Sequence, residues 1–224
     1  MYLDPTYIIV MLPALLFSIW ASFKTKSAFK KYSQVRVMSG QTGAQAAKTL
    51  LDNAGIHDVE IKPVRGKLSD HYNPVTKTLA LSEPVYSQSS VAAVGVACHE
   101  AGHAIQHARN YKPMWLRSAL VKPATIGSNF GIYAIIFGLI IGATGLYKIG
   151  IVLFAAAVAF QLVTLPVEFD ASARAKKLAF EYGIVSTQER QGVNKVLNAA
   201  AMTYVAAAAA SVLQLLYWIS RARD

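Results

Sequence analysis

Apolar positions along the chain gather into four long runs separated by polar stretches. Residues 7–23 form the first, broken only by Pro13 and serines. Residues 124–147 form the second, strongest from Phe130 onward, and residues 149–167 the third. The fourth, 199–219, is rich in alanine. About 20 apolar residues cross a bilayer as a helix. The first three runs meet that requirement with no charge inside. Alanine favours insertion only marginally, so the fourth reads either as a further span or as a buried or interfacial helix. Lys148 and its neighbours are the whole connection between runs two and three, which predicts a tight helical hairpin. Gly127, Gly131, Ala134, Gly138 and Gly142 recur along run two with small-xxx-small spacing, which lets another helix approach closely. Packing within this chain is expected in preference to dimerisation. No basic residue precedes the first run in Met1-Tyr2-Leu3-Asp4-Pro5, so a retained anchor is expected there and not a cleaved signal peptide.

The stretches between the runs carry patterns of their own. Residues 41–53 read as a helix with Ala46, Ala47, Leu50 and Leu51 on one side and Gly55 as its stop. Residues 59–64 alternate in strand fashion, Asn73-Pro74 marks a turn, and residues 78–81 read as a second strand. Ser89 or Ser90 can cap a helix over 91–108. Ser186 followed by Glu189 has capping-box spacing at the head of a helix leading into run four. The predicted fold class is therefore mainly α: a multi-pass membrane protein with three to four transmembrane helices and a small α+β region. Residues 1–224 are read as a single domain, in which segments 24–123 and 168–195 lie outside the membrane.

Composition agrees with this picture. Hydrophobic residues make up 54% of the 224 and charged residues 15%, against about 25% charged in soluble proteins. A chain this short cannot hide so much apolar surface in a core, and a disordered chain would be far less hydrophobic. The net charge is +10, and its distribution is more telling than its size. Lys and Arg number none before run one, 14 in 24–123, one in the hairpin (Lys148), five in 168–195 and two in the tail (Arg221, Arg223). The positive-inside rule then places 24–123 and 168–195 in the cytoplasm, and the N-terminus and hairpin outside. Only the two tail arginines run against four crossings. This accounts for the charge without nucleic acid, for which no motif or aromatic-interleaved basic patch is present. The single cysteine, Cys98, forms no intramolecular disulfide and is expected to be a small core residue.

The sharpest chemical signal is His99-Glu100-Ala101-Gly102-His103. On a helix, positions i and i+4 share a face, so both imidazoles can bind one zinc ion with Glu100 near enough to activate a water on it. Zinc brings that water's pKa toward about 7, and Glu100 would take its proton and pass it to the leaving amine. A catalytic site needs a third ligand and an open fourth position. His107 continues the spacing, but its Cα lies roughly 12 Å from that of His99 on a straight helix, so it is expected at the surface or behind the site. His57 and His71 lie upstream. Downstream, Leu165-Pro166-Val167-Glu168-Phe169-Asp170-Ala171-Ser172 follows run three. Glu168 is the candidate third ligand and Asp170 its rival; otherwise Asp170 could orient a ligand histidine.

These motifs together resemble the YugP-type membrane zinc metallopeptidases, which are similar in motif logic to the HtpX-like membrane gluzincins. The resemblance takes in HEAGH, LPVEFDAS, the membrane runs, DHYNP at 70–74 and LSEPVY at 81–86. It implies a zincin-like catalytic region, His99, His103 and Glu168 as ligands of one zinc per chain, and Glu100 as catalytic base. One position departs from the HtpX-like pattern: four residues after the ligand glutamate, where an aspartate is usual, stands Ser172, and an aspartate lies instead at Asp170. The resemblance also implies that a peptide pairs with an edge strand beside the zinc helix, for which 78–81 is the candidate. His71, Tyr72 and Arg174 are candidate oxyanion donors by residue type.

The expectation is a multi-pass protein of the cell membrane with cytoplasmic catalytic segments. It would be a zinc metallopeptidase, endopeptidase in preference to exopeptidase, acting on polypeptides, membrane proteins or their cytoplasmic tails among them. The alternative is a non-catalytic zinc-binding membrane scaffold, which would need a site closed by four protein ligands and would leave Glu100 without a use. An intramembrane HExxH protease would need the motif inside a span, and the helix over 91–108 is too short and His-rich for one. A transporter would place charge inside the spans.

Overall fold

The computed structural model describes residues 4–66 and 68–222. Met1 to Leu3, Lys67 and Arg223, which entered the reading of the N-terminus and the charge count, lie outside the described residues. In chain order the elements are α1 (Pro5–Tyr32), α2 (Gly43–Asn53), β1 (Glu60–Val64), β2 (His71–Asn73), β3 (Thr78–Ser82), α3 (Glu83–Ser87), α4 (Val91–Ala108), α5 (Lys112–Ile126), a π-helical turn (Gly127–Gly131), α6 (Ile132–Ile140), α7 (Thr144–Glu181) and α8 (Thr187–Arg221). The chain divides into two compact units. One takes its described residues from 1–21, 112–166 and 202–224, the other from 22–111 and 167–201.

The first unit is helical. Among the described residues, four helical segments are long and apolar enough to cross a membrane: α1, the run Lys112–Ile140, α7 and α8. The alanine-rich fourth run thus belongs to a helix of 35 residues. The hairpin differs from expectation. Its turn is Ile141-Gly142-Ala143, and Lys148 lies inside α7. Gly142 adopts φ +69°, and the Ala143 N–H donates back to the Gly138 carbonyl at 2.9 Å, as in a Schellman helix end. The polar residue marked the wrong place because the turn itself is apolar.

Close packing explains the small residues of run two. A Cβ added at Gly127 would stand 2.1 Å from the Leu153 carbonyl oxygen, at Gly131 2.9 Å from the Phe154 nitrogen, and at Gly138 2.6 Å from the Tyr147 nitrogen. All three contacts are with α7, so this stripe is used within the chain. At the other helix ends, Tyr217 donates to Asp4 at 2.7 Å and Arg221 pairs with the same carboxylate at 3.4 Å. Tyr147 donates to the Trp218 carbonyl at 2.6 Å, and the Tyr7 ring packs on Tyr217 and Trp218. The end of α8 therefore lies beside the start of α1 and the first turn of α7. Arg221, which argued against a fourth crossing, has an acidic partner there.

The second unit holds the sheet and the main core. The sheet order is β1-β3-β2, with β3 parallel to β1 and antiparallel to β2. Thr78–Ser82 is therefore the central strand, hydrogen-bonded on both sides, and not the edge strand expected for substrate. Its Leu79 and Leu81 are fully buried, whereas β1 is largely exposed. The short strand β2 at the other edge was read only as the approach to a turn. Thr42 and Gln45 form a capping box on α2, and Leu50 and Leu51 join Val85, Val91 and Val94 in the core. Ser90 accepts from the Ala93 N–H and starts α4. Small or apolar residues surround α4 on nearly every side, and 14 of its 18 residues are buried; a helix apolar all round belongs in the middle of a core. Cys98 is among them, its thiol pushed up to about 12 by burial, which keeps it protonated and unreactive.

Candidate metal centre

The site lies in the second unit, where α4 meets the part of α7 from Val167 onward. One helical turn separates His99 from His103, and their rings meet edge to face at 4.8 Å. Glu168 comes from α7. The two helix backbones approach closely at Gly102, where a Cβ would stand 2.6 Å from the Ala171 carbonyl oxygen. That contact brings Glu168 to the imidazoles: its Oε2 is 3.2 Å from Nε2 of His99 and 3.5 Å from Nε2 of His103. One potential ligand atom from each residue lies within 4.8 Å of the others, so the group could hold a metal ion.

The donor set fits zinc. Ligand atoms about 2.0–2.1 Å from a tetrahedral zinc stand roughly 3.3–3.4 Å from one another, and the two Glu168 to histidine separations bracket that value. Two nitrogens and one carboxylate oxygen also match a catalytic zinc set, which keeps the fourth position open. The far sides of the rings are held as well. Nδ1 of His99 is 3.0 Å from the Ser172 hydroxyl, and Nδ1 of His103 is 3.0 Å from Oε1 of Gln106. Both Nε2 atoms thus face Glu168.

Electrostatics favour a cation here. Glu168 is 2% exposed. Burial alone would raise its pKa, but hydrogen bonds from His103 and His99 and their charges hold it well below the usual carboxylate range. Burial likewise works to lower His103, and the hydrogen bond to Glu168, the charge of Glu100 and the contact with Gln106 outweigh it, leaving His103 raised. A buried carboxylate held in its charged form beside two imidazoles favours a cation between them.

A family model described as "Putative neutral zinc metallopeptidase" matches residues 7–223. The chain belongs to that family. It is 47% identical over 213 residues to "Putative membrane protease YugP" of Bacillus subtilis (strain 168), covering 95% of each chain. No solved structure matches.

The other residues singled out from sequence take the following places in this chain. Glu100 is 8% exposed and follows His99 on α4. Asp170 is bonded to residues other than the two ligand histidines. It accepts from Gln106 Nε2 at 2.8 Å and from Arg174 Nε at 2.6 Å. Arg174 is thereby committed to Asp170, with its guanidinium over the Tyr111 ring. Tyr72 bonds to Nδ1 of His107 at 2.9 Å, which gives His107 a place behind β2. His71 is exposed and bonds to the Ser69 carbonyl, and His57 is exposed beside Asp52. Two residues escaped the sequence reading. Gly102 was seen only as a letter of the motif. Gln106, fully buried, stands three residues after His103, a helical spacing that marks it as a neighbour of that ring.

Proposed function

We propose that this protein is a membrane-bound zinc metallopeptidase that hydrolyses peptide bonds, with one zinc on His99, His103 and Glu168 and with Glu100 as general base. The observation that carries the proposal is the convergence of both Nε2 atoms on one Glu168 oxygen at separations suited to a tetrahedral ion. Zinc bound there supplies a Lewis acid for the scissile carbonyl and lowers the pKa of water at its open position toward about 7. Glu100 then accepts a proton from the attacking water and returns it to the amine nitrogen as the peptide bond breaks, so that carboxylic acid and free amine leave together. His99 and His103 stay oriented by Ser172 and Gln106 throughout. A scaffold role would call for a fourth protein ligand, and among the described residues the group is three.

The charge distribution supports a cytoplasmic position for 24–123 and 168–195, with the N-terminus and hairpin outside. Glu168 directly follows run three in the sequence, which favours membrane proteins or their cytoplasmic tails as substrates, cut as by an endopeptidase. Purified protein should cleave casein or a membrane substrate. Glu100→Gln should lower turnover by about 10²–10⁴-fold while leaving the zinc content unchanged. Undiminished cleavage by that variant would sink the mechanism.

A further inference from the structure

Gln106 is fully buried, and its amide is engaged at both ends. Nε2 donates to the Val167 carbonyl at 2.8 Å and to Oδ2 of Asp170 at 2.8 Å. The Val167 carbonyl is an acceptor only, and the Asp170 carboxyl group already accepts from Arg174, with Nε at 2.6 Å and a second nitrogen at 3.3 Å. The amide can therefore face only one way, with Oε1 toward Nδ1 of His103 at 3.0 Å. A carbonyl oxygen cannot donate, so the proton of that contact sits on Nδ1. In the neutral ring that binds a metal, Nε2 is then the nitrogen with the lone pair, and it is Nε2 that stands 3.5 Å from Glu168.

We propose that Gln106 is a positioning residue for the metal: Arg174, Asp170 and the Val167 carbonyl fix its amide, and the amide fixes the tautomer of His103 that presents Nε2 to the ion. This goes beyond the zinc-site reading and rests on it. Metal-ligating histidines commonly give their second N–H to a carboxylate or backbone carbonyl. Here the carboxylate stands one link further back, and a neutral amide passes on its direction. The same two hydrogen bonds tie α4 to α7 beside the ligand Glu168, so one side chain orients a ligand on its own helix and anchors the helix that carries another.

Zinc affinity, measured by chelator competition on the detergent-purified full chain, tests this. Gln106→Leu is expected to weaken binding by about 10–100-fold. Gln106→Glu keeps the size but sets a carboxylate against Asp170 and the Val167 carbonyl, and should also bind weakly. Adding Asp170→Asn to it restores a donor facing that carboxylate and should recover most of the loss, which a purely space-filling role would not do. Asp170→Asn alone sits at a part-exposed position and keeps the side-chain volume. It removes one of the two acceptors that hold the Gln106 amide and is expected to weaken zinc binding by about 10-fold without changing the melting temperature of the chelated protein. Wild-type affinity in Gln106→Leu and Asp170→Asn would overturn the proposal, as would a double variant no tighter than Gln106→Glu. Absence of zinc binding by the wild type would remove the underlying reading of the site as well, and so is distinguishable from failure of the Gln106 role alone.

Discussion

At the scale of single residues, the second-to-last position of the HEAGH motif carries as much of the site as the letters with chemistry. Exposed helical Gly→Ala replacements gain up to about 1 kcal/mol from propensity. At Gly102 the new methyl would meet the Ala171 carbonyl oxygen at 2.6 Å, and overpacking of that kind costs about 1–3 kcal/mol. The contact outweighs the propensity. Gly102→Ala should therefore lower the melting temperature and weaken zinc binding together, since separating α4 from α7 draws Glu168 away from both imidazoles. Chelator competition and thermal unfolding of the same preparation check this, and a variant that is more stable and binds zinc unchanged would refute it. The pairing of His99 with His103 was legible from spacing alone because both sit on one helix. The places of Gly102, Gln106 and Ser172 were not, because each depends on the register of α7, some 60 to 70 residues later in the chain. Ser172 shows the point well. In sequence it was only a departure from an aspartate pattern, and in the structure its hydroxyl holds Nδ1 of His99.

At the scale of elements, boundaries were readable where a polar cap or a glycine stop marks them. Ser90 opens α4 and Gly55 follows α2 as the capping rules suggest. They were misread where the marker is not polar. In the hairpin, Lys148 looked like the break between two apolar runs, yet it is Gly142 with its positive φ that turns the chain. A side chain there strains the left-handed backbone by roughly 1–2 kcal/mol. Gly142→Val should accordingly destabilise the hairpin, while Lys148→Ala should leave stability nearly unchanged; unfolding in mixed detergent micelles compares the two, and the reverse order would contradict the placement of the turn. The sheet shows a different limit. Two strand patterns were evident, but pairing order is a tertiary property, and three-residue β2 was too short to show alternation. That order puts Thr78–Ser82 in the middle, leaving β1 and β2 at the edges.

For the whole molecule, the apolar excess resolves, among the described residues, into four helical segments long and apolar enough to span a bilayer, and a second compact unit has its own core and holds the candidate metal-site residues. Of the two tail arginines that run against four crossings, Arg221 pairs with Asp4 at the start of α1. Reporter fusions or cysteine accessibility should find both termini and the 141–143 turn on the outer side and segment 24–123 inside; an exposed 24–123 segment would reverse the proposed orientation without touching the metal site. Most of the fold class and the histidine pair were legible because long apolar runs and an i, i+4 pair are local patterns, whereas Glu168 was a candidate by type and position whose convergence on that pair depends on the packing of α7 against α4. The central claim is that His99, His103 and Glu168 together hold zinc. It is tested most directly by the metal content of the purified full-length protein beside that of Glu168→Ala. About one zinc per wild-type chain and a small fraction of that in the variant is the predicted result. Equal zinc in both, or none in the wild type, would contradict it.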